Sequence, residues 1–246
     1  MKRFATTLSL FLAALALSLA PSLALAISVE PADRAEDVTV DYVTQQPVTP
    51  SSVAVSQVVF DNTAGTTLTA FSSTDLASIW GDELFTTQQG TLSGFKFSIF
   101  NSGSSAGTLT SANVSIQFYD GGTFASLGGF STTVTFSTPL AKGTYSVINV
   151  TSLDALSILL TNTDIIVTQK VNSKTGAASR LGFVSATPIA IGSSDVDFYA
   201  SSTTIGPAGW YTSGTTSVTP IYQVTAADLP VPTNSTTWGR IKTLYR

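Results

Sequence analysis

Histidine and cysteine are both absent from the 246 residues. Imidazole is the usual proton carrier near neutral pH, and thiolate and imidazole are the main protein ligands for zinc and copper. Their absence removes Ser–His and Cys–His nucleophile pairs and the common transition-metal sites. Charge is scarce as well: 11% of residues are charged, with a net charge of −4, against about 25% in ordinary soluble domains. No basic stripe offers itself to nucleic acid, and an acidic chain has no attraction for anionic lipid. Without cysteine there are no covalent staples, so the fold must rest on its apolar core. About 200 residues are enough to bury one large domain.

What is present begins with an export pattern. Lys2 and Arg3 precede an apolar stretch from Phe4 to about Ala20, which ends at Ala24-Leu25-Ala26. A positive start, an apolar middle and small residues at the −3 and −1 positions read as a secretory signal peptide over residues 1–26. The run is short for a membrane span, and none of comparable length follows. Cleavage near Ala26 removes two of the 11 basic residues, which moves the net charge from −4 to −6. The mature chain is expected to be secreted or held at the cell surface. Residues 27–52 form an acidic polar leader with Glu30, Asp33, Glu36, Asp37 and Asp41, which reads as a solvated arm.

From Val53 the pattern has period two. Phe95, Phe97 and Ile99 alternate with Lys96 and Ser98. Val114, Ile116 and Phe118 alternate with Ser115, Gln117 and Tyr119, and Phe130, Val134 and Phe136 share one parity. Such alternation marks half-buried strands. Asn101-Ser102-Gly103, Asp120-Gly121-Gly122 and Lys142-Gly143 supply turn chemistry between them. Further strands are expected near 144–150, 164–171, 180–184, 195–200, 208–213 and 219–225. Ser152–Leu160 is the one helical candidate, with a loop and short strand as the alternative. About ten short strands with almost no helix predict an all-β protein, an antiparallel sandwich of jelly-roll type, over residues 53–229. No 20–50-residue repeat is visible. Residues 230–237 form a Pro/Ser/Thr linker. Residues 238–246 form a basic tag in which Trp238, Ile241 and Tyr245 make one apolar stripe if helical.

The candidate sites are few. Without nitrogen or sulfur ligands only a hard oxygen site is open, and calcium is the one cofactor that the composition leaves room for. Asp61, Asp120, Asp195 and Asp197 are the candidate ligands. Asp195 and Asp197 share a strand face by alternation, with Val196 pointing inward, and like charges there repel unless a cation lies between them. Trp80, Tyr199, Trp210 and Tyr211 are candidates for stacking on a sugar ring. For Trp80 and Trp210 the competing reading is an anchor in the core. Catalysis has little to build on. A glycosidase needs two carboxyls across a cleft, and Glu83 is the only glutamate after the leader. Asn113, Asn149 and Asn234 each open an N-glycosylation sequon.

Several phrases carry a resemblance. They are Val58-Val59-Phe60-Asp61-Asn62, Gly81-Asp82-Glu83, Leu92-Ser93-Gly94-Phe95-Lys96-Phe97, Ile116-Gln117-Phe118-Tyr119-Asp120, Asp197-Phe198-Tyr199 and Gly209-Trp210-Tyr211. Spread over residues 56–225, they resemble a group of secreted bacterial β-sandwich proteins that carry short C-terminal sorting tags. The resemblance implies an exported, non-catalytic domain. The PEP-type tag of such proteins includes a membrane span that is missing here, and residues 238–246 look like a different short terminal tag. The function expected from all this is a non-catalytic module of the cell envelope or matrix that binds polysaccharide or a surface protein. The alternatives are a carboxylate-dependent glycoside hydrolase or lyase, with Glu83 and an Asp such as Asp197, and a self-assembling surface component.

Overall fold

The computed structural model describes residues 32–43, 56–73, 78–102, 107–201, 210–212 and 218–227, and for 73, 196–201 and 210–212 it describes the backbone alone. The expected signal peptide, the linker and the Trp238–Tyr245 stripe lie outside the described residues. Among those described, fifteen strands and one 3-10 turn (Leu153–Leu156) account for the regular structure, with no α-helix. The Ser152–Leu160 segment resolves into that turn followed by the two-residue strand Leu159–Leu160.

The strands form two sheets packed face to face, so the expectation of an all-β sandwich holds. The six-stranded sheet runs β14 (Trp210–Thr212), β13 (Ser193–Ser201), β5 (Ile79–Phe85), β11 (Asp164–Gly176), β7 (Leu109–Asp120), β8 (Ser126–Leu140). The nine-stranded sheet is centred on β6 (Gly90–Asn101). On one side β6 pairs with β9 (Thr144–Thr151) and with β10 (Leu159–Leu160). On the other side it pairs with β15 (Tyr222–Ala227) and with β12 (Leu181–Thr187). Beyond these lie β3 (Ser56–Asp61), next to β15, and β4 (Thr67–Ser73), next to β12. All of these pairings are antiparallel. The exceptions are β1 (Asp33–Arg34) and β2 (Val38–Asp41), which pair with β9 in parallel. Residues 33–41 of the acidic leader are therefore not a free arm. The backbone is annexed to the sheet, while Asp33, Arg34, Glu36 and Asp37 stay at or near the surface and Arg34 meets Asp37 at 2.7 Å.

Alternation explains the core. Phe95, Phe97, Ile148, Val150, Tyr222 and Val224 from the larger sheet face Leu84, Val114, Ile116, Phe118, Phe130 and Val134 from the smaller. Phe95 is the junction. Its ring meets Phe118 edge-on at 5.4 Å and Phe130 at 6.4 Å, and it lies 5.2 Å from Tyr222. Each such buried ring stabilises by roughly 1.5–3 kcal/mol, which is how a chain without disulfides holds together. A second cluster (Phe100, Tyr145, Val147, Val184, Ala186, Ile221) extends the larger sheet. Where β6 and β12 diverge, Gln169 reaches across the interior and donates through Nε2 to the Ser98 carbonyl at 3.0 Å.

Candidate functional site

The inward parity of β5 decides the fate of Trp80. Trp80, Asp82 and Leu84 alternate into the interior, and Trp80 is 4% exposed. Its ring meets Phe183 edge-on at 5.2 Å, and Phe183 stacks on Phe71 at 5.2 Å. The expectation that Trp80 forms part of a sugar platform is therefore corrected: it is a core anchor.

The other aromatic candidates sit on β13 and β14, the two strands beyond β5 at one edge of the same sheet. The ladder sets Tyr199 across from Trp210 and Phe198 across from Tyr211. It also sets Tyr199 across from Gly81. The side chains of Tyr199, Trp210, Tyr211 and Asp197 lie outside what the structure describes, but the register does not. One row crosses all six strands: Gly129, Gln117, Thr168, Gly81, Tyr199, Trp210. Its neighbours Ile116, Phe118 and Val167 are core residues, so this row belongs to the outer face.

That outer face is hydroxyl- and amide-rich. The next row is Ser131, Ser115, Lys170, Ile79, Ser201. A hydrogen-bonded lattice covers the β8 side of it. Asn113 Nδ2 donates to Thr133 Oγ1 at 2.9 Å, Asn172 Nδ2 donates to Asn113 Oδ1 at 2.8 Å and to Ser115 Oγ at 2.7 Å, and Ser115 and Ser131 share a hydrogen bond at 2.7 Å. Asn172 reaches these partners from a register shift in β11 between Val171 and Ser173.

On the other flank of the row lies a carboxyl group pair. Glu83 stands opposite Ile166 on β11, with Tyr119 opposite Ile166 on the far side. The Glu83 carboxyl hydrogen-bonds to that of Asp164. Burial first, then this bond and the nearby charges of Asp164 and Asp195, push Glu83 up to about 7. The Asp164 carboxyl is seated against Gly121, where a Cβ would come within 1.8 Å of Oδ1, and Gly121 N–H donates to the Asp164 carbonyl at 3.0 Å. A side chain at position 121 would therefore push the Asp164 carboxyl out of its present place. On the inner side, Asp82 is wholly buried. Its Oδ1 accepts from Glu83 N–H at 2.9 Å, and desolvation pushes its carboxyl well above the usual range despite a hydrogen bond from Thr219.

The calcium candidates are not brought together. Asp61 Oδ1 accepts from Thr63 N–H at 2.8 Å and from Thr63 Oγ1 at 2.7 Å, while Oδ2 accepts from Gln223 Nε2 at 2.9 Å. Asp120 repeats the motif: Oδ1 accepts from Thr123 Oγ1 at 2.7 Å and from its N–H at 2.9 Å, and Oδ2 accepts from Asn162 Nδ2 at 3.2 Å. These hydrogen bonds hold the Asp120 carboxyl below its ordinary value. Both carboxylates close their own turns. Asp195 and Asp197 fall within a bulge, because β13 registers with β5 at Ser194 and next at Phe198. The regular alternation behind their shared face is interrupted there. Among the described residues, no group of three or more acidic side chains is disposed to hold a metal ion, and no helix is long and apolar enough to cross a membrane.

Asp164, Gln117 and Asn172 were not singled out from the sequence. Gln117 was within reach, since alternation from Val114 to Tyr119 already puts it outward. The Glu83–Asp164 meeting depends on which strands are neighbours, and no local signal carries that. Neither the protein-family models, nor the curated proteins, nor the solved structures include a match to this chain.

Proposed function

We propose that this protein is an exported, non-catalytic module that holds a polysaccharide along the outer face of its six-stranded sheet. The observation that carries the reading is the register of the outer face, in which Tyr199 and Trp210 stand opposite each other on β13 and β14 and in line with the half-buried Gln117, across the buried Thr168 and Gly81. The Asn113–Asn172–Ser115–Ser131 lattice gives that face amide and hydroxyl groups already fixed in position, which suits a ligand made of hydroxyls. The low charge suits a neutral glycan in the same way.

The hydrolase alternative is less well supported. Glycosidase carboxyls stand about 5–9 Å apart with the sugar bond between them; the carboxyl that meets Glu83 is that of Asp164, at hydrogen-bonding range, while the side chain of Asp197 lies outside what the structure describes. Affinity electrophoresis against soluble glucans, together with pull-down on insoluble cell-wall polysaccharide, tests the proposal. Retardation or retention is expected. It should fall on the order of tenfold or more in a Tyr199→Ala/Trp210→Ala double variant, given what an aromatic–sugar contact contributes, and less in Gln117→Ala. Absence of retention on every polysaccharide, or retention indifferent to the double variant, would sink it.

A further inference from the structure

Glycine weakens the interior of a strand, so each one there calls for a reason: a bulge, or the close approach of another backbone or of a ligand. At Gly81, Gly129 and Gly182 the reason is a neighbouring strand, since a Cβ would come within 2.4, 2.3 and 1.7 Å of a backbone carbonyl oxygen. Gly94, inside β6, has no such neighbour. A Cβ there would make only ordinary contacts, 3.4 Å from the Val150 carbonyl oxygen and 3.6 Å from Thr225 Cβ. Its φ is not left-handed, so the bulge beside it at Ser93 does not call for glycine either. The fold would accept alanine at 94. What glycine keeps open there is space.

That space is the floor of a cleft of about 120 Å³, lined by Ser93, Asn149, Thr151, Ser152 and Thr225 around Gly94. Thr225 stands opposite Gly94, and Asn149 stands opposite Lys96. Phe95, Val150 and Val224 belong to the core, so their strand neighbours Gly94, Asn149, Thr151 and Thr225 turn to the outer face of the nine-stranded sheet. Ser93 joins them from the bulge, and its Oγ donates to the Thr225 carbonyl at 3.1 Å. No lining side chain is charged or apolar. Asp41, opposite Thr151, is engaged by Ser152 Oγ. Among the described residues, the side chains of Asn149, Thr151 and Thr225 have no hydrogen-bond partner, although all three are half-buried. An amide and two hydroxyls thus converge over a bare floor with their bonding capacity unspent. The volume, that of about four waters, takes the hydroxyl edge of one sugar ring and not a run of rings.

We propose that this cleft binds a single neutral sugar unit, a chain end or side branch, by its hydroxyl edge. Asn149, Thr151 and Thr225 are the hydrogen-bonding partners and Gly94 is the floor. The cleft lies on the face of the sandwich opposite the six-stranded sheet. Taken with the polysaccharide reading above, on which this step alone rests, it makes the module bivalent: one face holds the flank of a glycan and the other holds an end.

Nitrogen–proton correlation NMR of the purified protein tests this, with methyl glucoside, methyl galactoside, methyl mannoside and N-acetylglucosamine as probes. Saturable shifts of the Gly94, Thr151 and Thr225 amides with at least one probe are expected, at millimolar Kd. Gly94→Ala fills the floor with a methyl that the backbone accepts, and should weaken this binding at least tenfold without loss of stability to urea. Thr225→Val keeps the β-branched shape, removes one hydroxyl and should weaken it severalfold. Absence of saturable shifts at these amides with every probe, or equal affinity in the parent and both variants, would overturn the proposal. Shifts confined to β5, β7 and β11 amides would put the sugar on the six-stranded face, which supports the preceding section and overturns this one. Polysaccharide retention that fails while the Gly94 shifts persist would do the reverse.

Discussion

Asn62 is wholly buried, and its side chain acts as a clasp. Nδ2 donates to the carbonyls of Ala186, Thr219 and Pro220 at 3.0–3.2 Å, and Oδ1 accepts from Tyr222 N–H at 2.8 Å. Ala186 lies on β12, and Thr219, Pro220 and Tyr222 belong to the start of β15 and the segment that leads into it; buried backbone groups without partners are costly. Asn62→Ala is therefore expected to destabilise the fold by about 3 kcal/mol, summed over several orphaned groups, seen as a lower urea midpoint. A loss under about 0.5 kcal/mol would mean that water replaces the amide without penalty. The sequence shows Asp61-Asn62 as a turn-prone pair, and Asp61 does close a turn on Thr63. It does not show that Asn62 reaches residues 124–160 positions away, because a buried amide looks like a solvated one until the partner strand is known. Trp80 is ambiguous for the same reason: a ring suited to a sugar is equally suited to the Phe183–Phe71 stack.

At the level of elements, alternation was the dependable signal. Strands were expected near 144–150, 164–171, 180–184, 195–200, 208–213 and 219–225, and β9, β11, β12, β13, β14 and β15 overlap those ranges. Pairing order was not legible, since β13 lies between β14 and β5 while β12 crosses to the other sheet. Nor was the bulge at 195–197, which follows from how β13 meets β5 rather than from its own residues. Close approach between strands is a further hidden constraint. Gly182 on β12 lies so near β4 that a Cβ would sit 1.7 Å from the Phe71 carbonyl oxygen. Gly182→Ala must part the two strands, which costs about 3 kcal/mol on the scale of overpacking. Hydrogen exchange should show loss of protection at β4 and β12 amides beyond any change in β7. Uniform protection in the variant would mean that the backbone absorbs the methyl without separating the strands.

The whole molecule answers to pH through its carboxyls, and the sign is unusual. Glu83 is raised to about 7, mainly by burial and by the Asp164 carboxyl beside it, and Asp82 is raised by burial in the same direction. Both groups hold their protons more tightly when folded than when unfolded. Between the unfolded value near 4.5 and the folded value near 7, the folded state binds more protons, so the stability that Glu83 contributes is complete below about pH 4.5 and is lost as pH rises toward 7. Asp82 adds to the loss from about pH 4 upward. Asp120, held low by Thr123 and Asn162, works the other way only below its unfolded value. The protein should therefore be more stable at pH 5 than at pH 8. Glu83→Gln keeps the shape and removes the ionisation. Its unfolding free energy from urea titration should match the parent at pH 4 and exceed it at pH 8 by about 1 kcal/mol, the shift being discounted because Glu83 is partly open to solvent. Urea titrations at each pH unit from 4 to 8 decide the matter. If the parent gains stability toward pH 8, or the two curves stay parallel, the Glu83–Asp164 pair does not exist in solution as the fold places it. The outer face would then lose the carboxyl flank of its candidate site.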